Sequence, residues 1–227
     1  MDTQINEAPK TERVPFLDKN RIQTEQRGYE RLCRVRDVLL SVAVIAVLFV
    51  PSLFLMLAIV LESPGASPIY RQARAGKDGR EFQLLKFRSM IPNAEDILPE
   101  LEDSNEMDGP VFKMKDDPRI TRIGRVIRRI GVDELPQFIN ILRGDMRVVG
   151  PRPALFAEIE KYDDYEKQRL YVVPGLTCLW QIQPKRNDLS FEEWLELDLQ
   201  YIQERSFLLD LKIILQTAGT ILRADGV

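Results

Sequence analysis

The chain has 227 residues, 44% hydrophobic and 30% charged, which allows one globular domain of ordinary size plus a membrane element. Its net charge of −3 argues against a nucleic-acid binder, whose domain should be basic overall. The absence of histidine removes Ser-His and Cys-His pairs and the commonest general base, and the widely separated Cys33 and Cys178 make neither a disulfide framework nor a zinc pattern.

Residues 1–27 are polar and read as a mobile tail, leading into a short helix near Ile22 to Arg36. The membrane element is residues 28–62, whose stretch VLLSVAVIAVLFVPSLFLMLAIVL from Val38 to Leu61 carries no charge and is long enough to cross a bilayer as a helix. Pro51-Ser52 lies near its middle, where proline removes a helix hydrogen bond and bends the axis. Both flanks are basic, with Arg27, Arg31, Arg34 and Arg36 before and Arg71, Arg74, Lys77 and Arg80 after, and the positive-inside rule favours keeping both on the cytoplasmic side. Two readings stand: a re-entrant helix broken at Pro51-Ser52, and a simple bitopic anchor that tolerates its proline.

Residues 63–227 read as a single cytoplasmic domain. A hairpin around Lys77-Asp78-Gly79 leads into a strand from Glu81 to Phe87. The pattern predicts an acidic helix at 94–103, a basic one at 119–130, an apolar one at 133–143, a charged one at 154–170, and two more at 190–204 and 207–223. The fold class is α+β, mainly helical, with a small β element and amphipathic helices. In the last helix Phe207, Leu208, Leu211, Ile214, Leu215 and Ile221 form a broad apolar face, suited to core packing or to the membrane interface.

The chemistry is densest between Asp116 and Pro153, where Asp133-Glu134 lies in a field of arginines that suits an anionic substrate and a metal ion. Leu135-Pro136 follows, so Asp133 is expected at a helix N-terminus, ionised by the dipole and competent as a nucleophile toward phosphorus. Glu134 is the expected Mg²⁺ ligand, acting together with substrate phosphates. The plainer alternative is an N-cap followed by a first-turn glutamate. In Gly150-Pro151-Arg152-Pro153 the prolines hold Arg152 in a rigid extended loop, as a phosphate contact or as a turn that happens to contain arginine. Alternation along the strand puts Lys86 and Arg88 on one face, either as anion ligands or as a solvated edge. Asp116-Asp117-Pro118-Arg119 reads as structural, and Trp180, Trp194, Tyr162, Tyr165 and Tyr171 as core aromatics.

KFRSM at 86–90, DPRITRIGRVIRR at 117–129, DELPQFINILRGDM at 133–146, VGPRP at 149–153 and PGLT at 174–177 occur in one consistent order. Together they strongly resemble the bacterial sugar transferase family, the monotopic polyprenyl-phosphate phosphoglycosyl transferases, in its small catalytic-unit-only form. The resemblance implies a membrane enzyme of a bacterium, facing the cytoplasm, that takes a UDP-sugar donor, Mg²⁺ and polyprenyl (undecaprenyl) phosphate. It implies that Asp133 forms a covalent phosphosugar intermediate and expels UMP, that Glu134 is associated with the metal, and that Lys86, Arg88, Arg128, Arg152 and Asp198 bind substrate. The family follows PGLT with glycine and a Gly-Arg turn before Asn, whereas this chain has Cys178 and Gln183-Pro184-Lys185-Arg186-Asn187, a difference that bears on sugar choice. A homodimer through the C-terminal helix is compatible with the sequence. The competing class is a non-catalytic membrane-anchored scaffold or nucleotide-binding protein of the same fold.

Overall fold

The structure is a computed structural model, and it describes residues 13–24, 26–184, 186 and 188–222. The first twelve residues of the expected tail, together with Lys185 and Asn187, lie outside the described residues.

The rest of the tail is packed, contrary to expectation. Helix α1 (Lys19–Thr24) buries Ile22, and Val14 is likewise buried. The Val14 N–H donates to Glu196 Oε2 at 2.7 Å, Tyr165 Oη donates to the Val14 carbonyl at 2.7 Å, and the Leu17 N–H donates to Gln168 Oε1 at 2.6 Å. Main-chain hydrogen bonds to buried side chains hold this segment, and apolar periodicity does not report them.

Helix α2 (Arg27–Glu62) continues through Pro51 and is apolar and long enough to cross a membrane. Its middle is exposed, with Val47 at 74% and Phe54 at 70%, while both ends are tied to the domain. Near the start, Tyr29 Oη donates to Asp210, and Arg34 Nη2 donates to the Leu142 carbonyl at 2.6 Å. At the far end Ile59 packs with Phe87 and Ile127, and the Glu62 carboxylate accepts from the backbone N–H groups of Arg122 at 2.9 Å and Ile123 at 3.1 Å.

The expected hairpin forms from β1 (Ile69–Ala75) and β2 (Glu81–Phe87), antiparallel, with Tyr70 opposite Lys86, Gln72 opposite Leu84 and Arg74 opposite Phe82. Asp78 and Gly79 take the left-handed conformation that its tight turn needs. The acidic segment contracts to α3 (Leu98–Leu101) and a 3₁₀ turn, Glu102–Ser104. Asp117 pairs with Arg119 at 2.6 Å in a buried bridge, the structural role expected of it. Thr121 caps α4 (Arg122–Arg129) by accepting from the Gly124 N–H at 2.9 Å, and a Cβ at Gly124 would meet the Ser89 carbonyl oxygen at 1.9 Å.

The 133–143 helix is shorter than predicted. Asp133 lies in a 3₁₀ turn, Val132–Glu134, and α5 (Gln137–Arg143) begins after Pro136. A short parallel pair absent from the sequence reading follows, β3 (Arg147–Val149) and β4 (Gly175–Thr177). Between them the predicted 154–170 helix reduces to α6 (Phe156–Ile159) and a 3₁₀ turn, Glu166–Tyr171. Helix α7 (Phe191–Glu204) opens with a reciprocal Ser190/Glu193 cap, and its Trp194 stacks on Trp180 in the core at 4.2 Å. In α8 (Phe207–Leu222) Asp210 and Ile213 are fully buried. Leu208, Leu211 and Leu215 form an exposed stripe, while Leu209, Ile213 and Ile214 pack on the core.

Candidate active site

Asp133 and Glu134 are presented by a tight turn between α4 and α5. Gly131 enters it with φ 71°, a conformation that favours glycine, and Pro136 leads out of it into α5. Opposite stands β2, whose Lys86 Nζ lies 2.7 Å from Glu134 Oε1. The loop Gly150–Pro153 closes a third side. It is held there by Arg74 Nη1, which donates to the Pro153 carbonyl at 3.0 Å, and by the Gly175 N–H, which donates to the Pro151 carbonyl at 2.9 Å.

These elements enclose a small cavity of about 30 Å³, lined among others by Arg74, Lys86, Glu134, Gln137, Arg152 and Gln181. Cys178, the departure noted after PGLT, is also on its wall, with its backbone N–H donating to Gln181 Oε1 at 3.2 Å.

The two carboxyls differ. Asp133 is 7% exposed, and burial, reinforced by the adjacent Glu134 charge, pushes it up to about 6 against the pull of Lys86 and Arg128. The expected helix-terminal stabilisation of Asp133 is therefore outweighed, since α5 starts after Asp133 and the carboxyl has lost most of its water. Burial would lift Glu134 as well, but Lys86, Arg152 and the Gln137 side chain outweigh it and hold this carboxyl below its ordinary range. One turn thus carries a carboxyl that titrates near neutrality beside one that stays ionised.

Of the substrate-contact candidates, Lys86 and Arg152 line the cavity, and Arg128 is half-buried on α4 within electrostatic reach of Asp133. Arg88 turns away, donating through Nε to the Ser67 carbonyl at 2.7 Å and lying 5.8 Å from the Tyr70 ring. Asp198 is fully buried on α7, its Oδ2 accepting from Arg169 Nη2 at 2.5 Å; Arg169 Nη1 in turn donates to Tyr162 Oη at 3.0 Å. Asp198 therefore sits behind the wall of the site. Arg74 and Gln137 went unmarked in the sequence. The signal for Arg74 was the hairpin register, because pairing Tyr70 with Lys86 and Arg74 with Phe82 puts Arg74, Leu84 and Lys86 on one face.

The chain is similar to known sugar transferases and exopolysaccharide proteins over most of its length. The galactosyl transferase CpsE of Streptococcus agalactiae is 43% identical over 198 residues, covering 87% of this chain and 44% of CpsE. The UDP-galactose-lipid carrier transferase of Erwinia amylovora is 41% identical over 200 residues, 86% of this chain and 41% of that protein. The exopolysaccharide production protein ExoY of Rhizobium meliloti is 40% identical over 191 residues, 82% of this chain and 84% of ExoY. The chain thus spans less than half the length of the first two relatives and most of the third. A family model for the bacterial sugar transferases matches residues 28–224, a span that contains the turn of Asp133 and Glu134 and every residue lining the cavity beside Glu134, and the chain belongs to that family.

Proposed function

We propose that this protein transfers a sugar 1-phosphate, of a hexose, from a UDP-sugar to polyprenyl (undecaprenyl) phosphate, at the cytoplasmic face of a bacterial membrane. The observation that carries the reading is Asp133, a buried carboxyl beside an ionised Glu134, with Lys86, Arg128 and Arg152 around them. Ionised Asp133 attacks the sugar-bearing phosphorus, the P–O bond to UMP breaks, and UMP leaves with the electron pair. A phosphate oxygen of the lipid then attacks the same phosphorus, the bond to Asp133 breaks, and polyprenyl diphosphosugar departs. Relatives are named as a UDP-galactose-lipid carrier transferase and an undecaprenyl-phosphate galactose phosphotransferase, which supports the donor and acceptor classes.

Mg²⁺ fits this donor set. Among the described residues no three carboxylate or cysteine side chains converge, so Glu134, with Asp133 adjacent, would hold the ion jointly with substrate phosphates. Bound there, Mg²⁺ would neutralise charge developing on the departing phosphate.

Membrane association rests on α2, and a re-entrant course is supported by its two ends. Arg34 and Glu62 would stand roughly 40 Å apart in a straight helix, yet they dock on α5 and α4, two short consecutive helices of the same domain. The exposed Leu208, Leu211 and Leu215 of α8 suit the same interface.

The test is intact-protein mass spectrometry with Mg²⁺ and a panel of UDP-sugars, with and without undecaprenyl phosphate. A phosphosugar adduct is expected that disappears on adding lipid and is absent in Asp133→Asn. Neither adduct nor UMP with any donor would favour a scaffold, and UMP release that continues beyond one equivalent per enzyme without lipid would favour a hydrolase.

A further inference from the structure

Arg74 is a buried charge on the cavity wall without a task in the proposed transfer. It is 7% exposed, and its hydrogen bonds go to neutral acceptors: Nη1 to the Pro153 carbonyl at 3.0 Å, Nε and Nη2 to Gln72 Oε1 at 3.1 and 2.7 Å. Among the described residues it makes no ion pair with a carboxylate. Across the cavity stands Arg152, whose Nε is buried and has no hydrogen-bond partner among the described residues. With Lys86, three cations line a cavity into which one carboxylate, Glu134, projects, and Lys86 already engages that carboxylate. Burial and the facing Arg152 push the Arg74 guanidinium down to about 10.

A buried guanidinium with no carboxylate partner, repelled by a half-buried one whose Nε is buried and unpartnered, forms an arrangement that an anion relieves. We propose that Arg74 is a phosphate-binding residue that, with Arg152, clamps an inserted phosphate oxygen beside Glu134; the assignment rests on the phosphotransfer reading given above. The cavity is small, about 30 Å³, and open to solvent, so a phosphate oxygen enters it and the bulk of the ligand stays outside. The forked geometry of guanidinium suits that oxygen better than an ammonium would. Donor diphosphate and lipid phosphate share this chemistry, and separate arms of one experiment distinguish them.

The experiment measures the thermal midpoint of the detergent-solubilised full chain, titrated with pyrophosphate, with UMP and with a short-chain polyprenyl phosphate. It compares wild type, Arg74→Gln and Arg74→Lys. The expected result is an apparent affinity at least tenfold weaker in Arg74→Gln and partly restored in Arg74→Lys, with the ligand-free midpoint of Arg74→Gln equal to or above wild type. The ligand whose affinity falls identifies the source of the phosphate. An affinity within threefold of wild type in Arg74→Gln overturns the proposal. So does an equal loss in both variants with a lowered ligand-free midpoint, which would mark Arg74 as a brace for Pro153. No shift by any of the three ligands in wild type overturns it as well. Failure of the wider reading looks different: no UMP from any UDP-sugar, while pyrophosphate binding still depends on Arg74.

Discussion

Lys86 on β2 and Glu134 in the α4–α5 turn are joined by an ion pair of 2.7 Å, and this contact fixes the charge state of the acidic pair. Losing Lys86 leaves Glu134 and Asp133 to share one proton, since a buried carboxyl does not ionise readily beside a second carboxylate that no cation pairs. Lys86→Gln is therefore expected to lower kcat for UMP release by roughly 10²-fold, the scale seen when one preorganised electrostatic contact is removed. Lys86→Arg should recover part of that loss. A Lys86→Gln rate within threefold of wild type would refute this role.

Asp210 gathers Tyr29, Tyr201 and Arg36 around one fully buried carboxylate, with Arg36 Nη1 at 2.8 Å and Tyr201 Oη at 2.9 Å. Asp210→Asn strips one of the two charges that Arg36 answers, Asp37 remaining at 2.8 Å, and about 1.5–3 kcal/mol of stability should go with it, the scale of a hydrogen bond to a charged group. The loss should appear in chemical unfolding of the detergent-solubilised protein. Faster proteolysis between α7 and α8 would accompany it, because α8 is clamped to α2 through this carboxylate.

Glycine at 175 is demanded by sterics. A Cβ there would meet the Gly150 nitrogen at 2.0 Å, so β3 and β4 can approach only without one. Gly175→Ala should cost about 3 kcal/mol or more, at the upper end for overpacking. Gly28→Ala, in the first turn of α2 with nothing near the added methyl, should instead stabilise, by up to about 0.5 kcal/mol. Similar thermal midpoints for the two variants would contradict the close approach of the strands.

Asp117 gives the pH dependence a sign. Burial would raise its carboxyl, but the hydrogen bonds and charge of Arg119 outweigh this and hold it below the ordinary range. Its stabilising contribution is then fully present above the unfolded-state pKa, near 4, and is lost as pH falls through the lower folded-state value. Stability measured from pH 6 downward should therefore fall more steeply in wild type than in Asp117→Asn. Parallel curves would show that Asp117 does not contribute.

Legibility in the sequence followed the length and periodicity of each element. The β1–β2 hairpin and helices α4, α7 and α8 could be read because turn residues and a 3.6-residue period announce them over many positions. Strands β3 and β4, Arg147-Val148-Val149 and Gly175-Leu176-Thr177, are too short for alternation to register, and they pair across a long interval of sequence. The 154–170 stretch failed for another reason: its charges suggested an exposed helix, while Glu158, Gln168 and Arg169 are spent inward as buried hydrogen-bonding groups. At the site, Asp133, Glu134, Lys86 and Arg152 were marked by local motifs. Asp198 was marked by the family resemblance alone and is buried behind the wall, and Arg74 could be reached only through cross-strand register.

The contacts that fasten the N-terminal segment to the last two helices set a timetable for assembly. Val14 and Tyr29 wait for Glu196 and Asp210, which leave the ribosome about 10–40 s later at ordinary elongation rates. For that interval the start of α2 lacks the Asp210 carboxylate that Tyr29 and Arg36 bind. Translation must therefore reach the last helix before the molecule can close, and a nascent chain stalled ahead of α8 would be tethered to the membrane with its catalytic half still open to proteases.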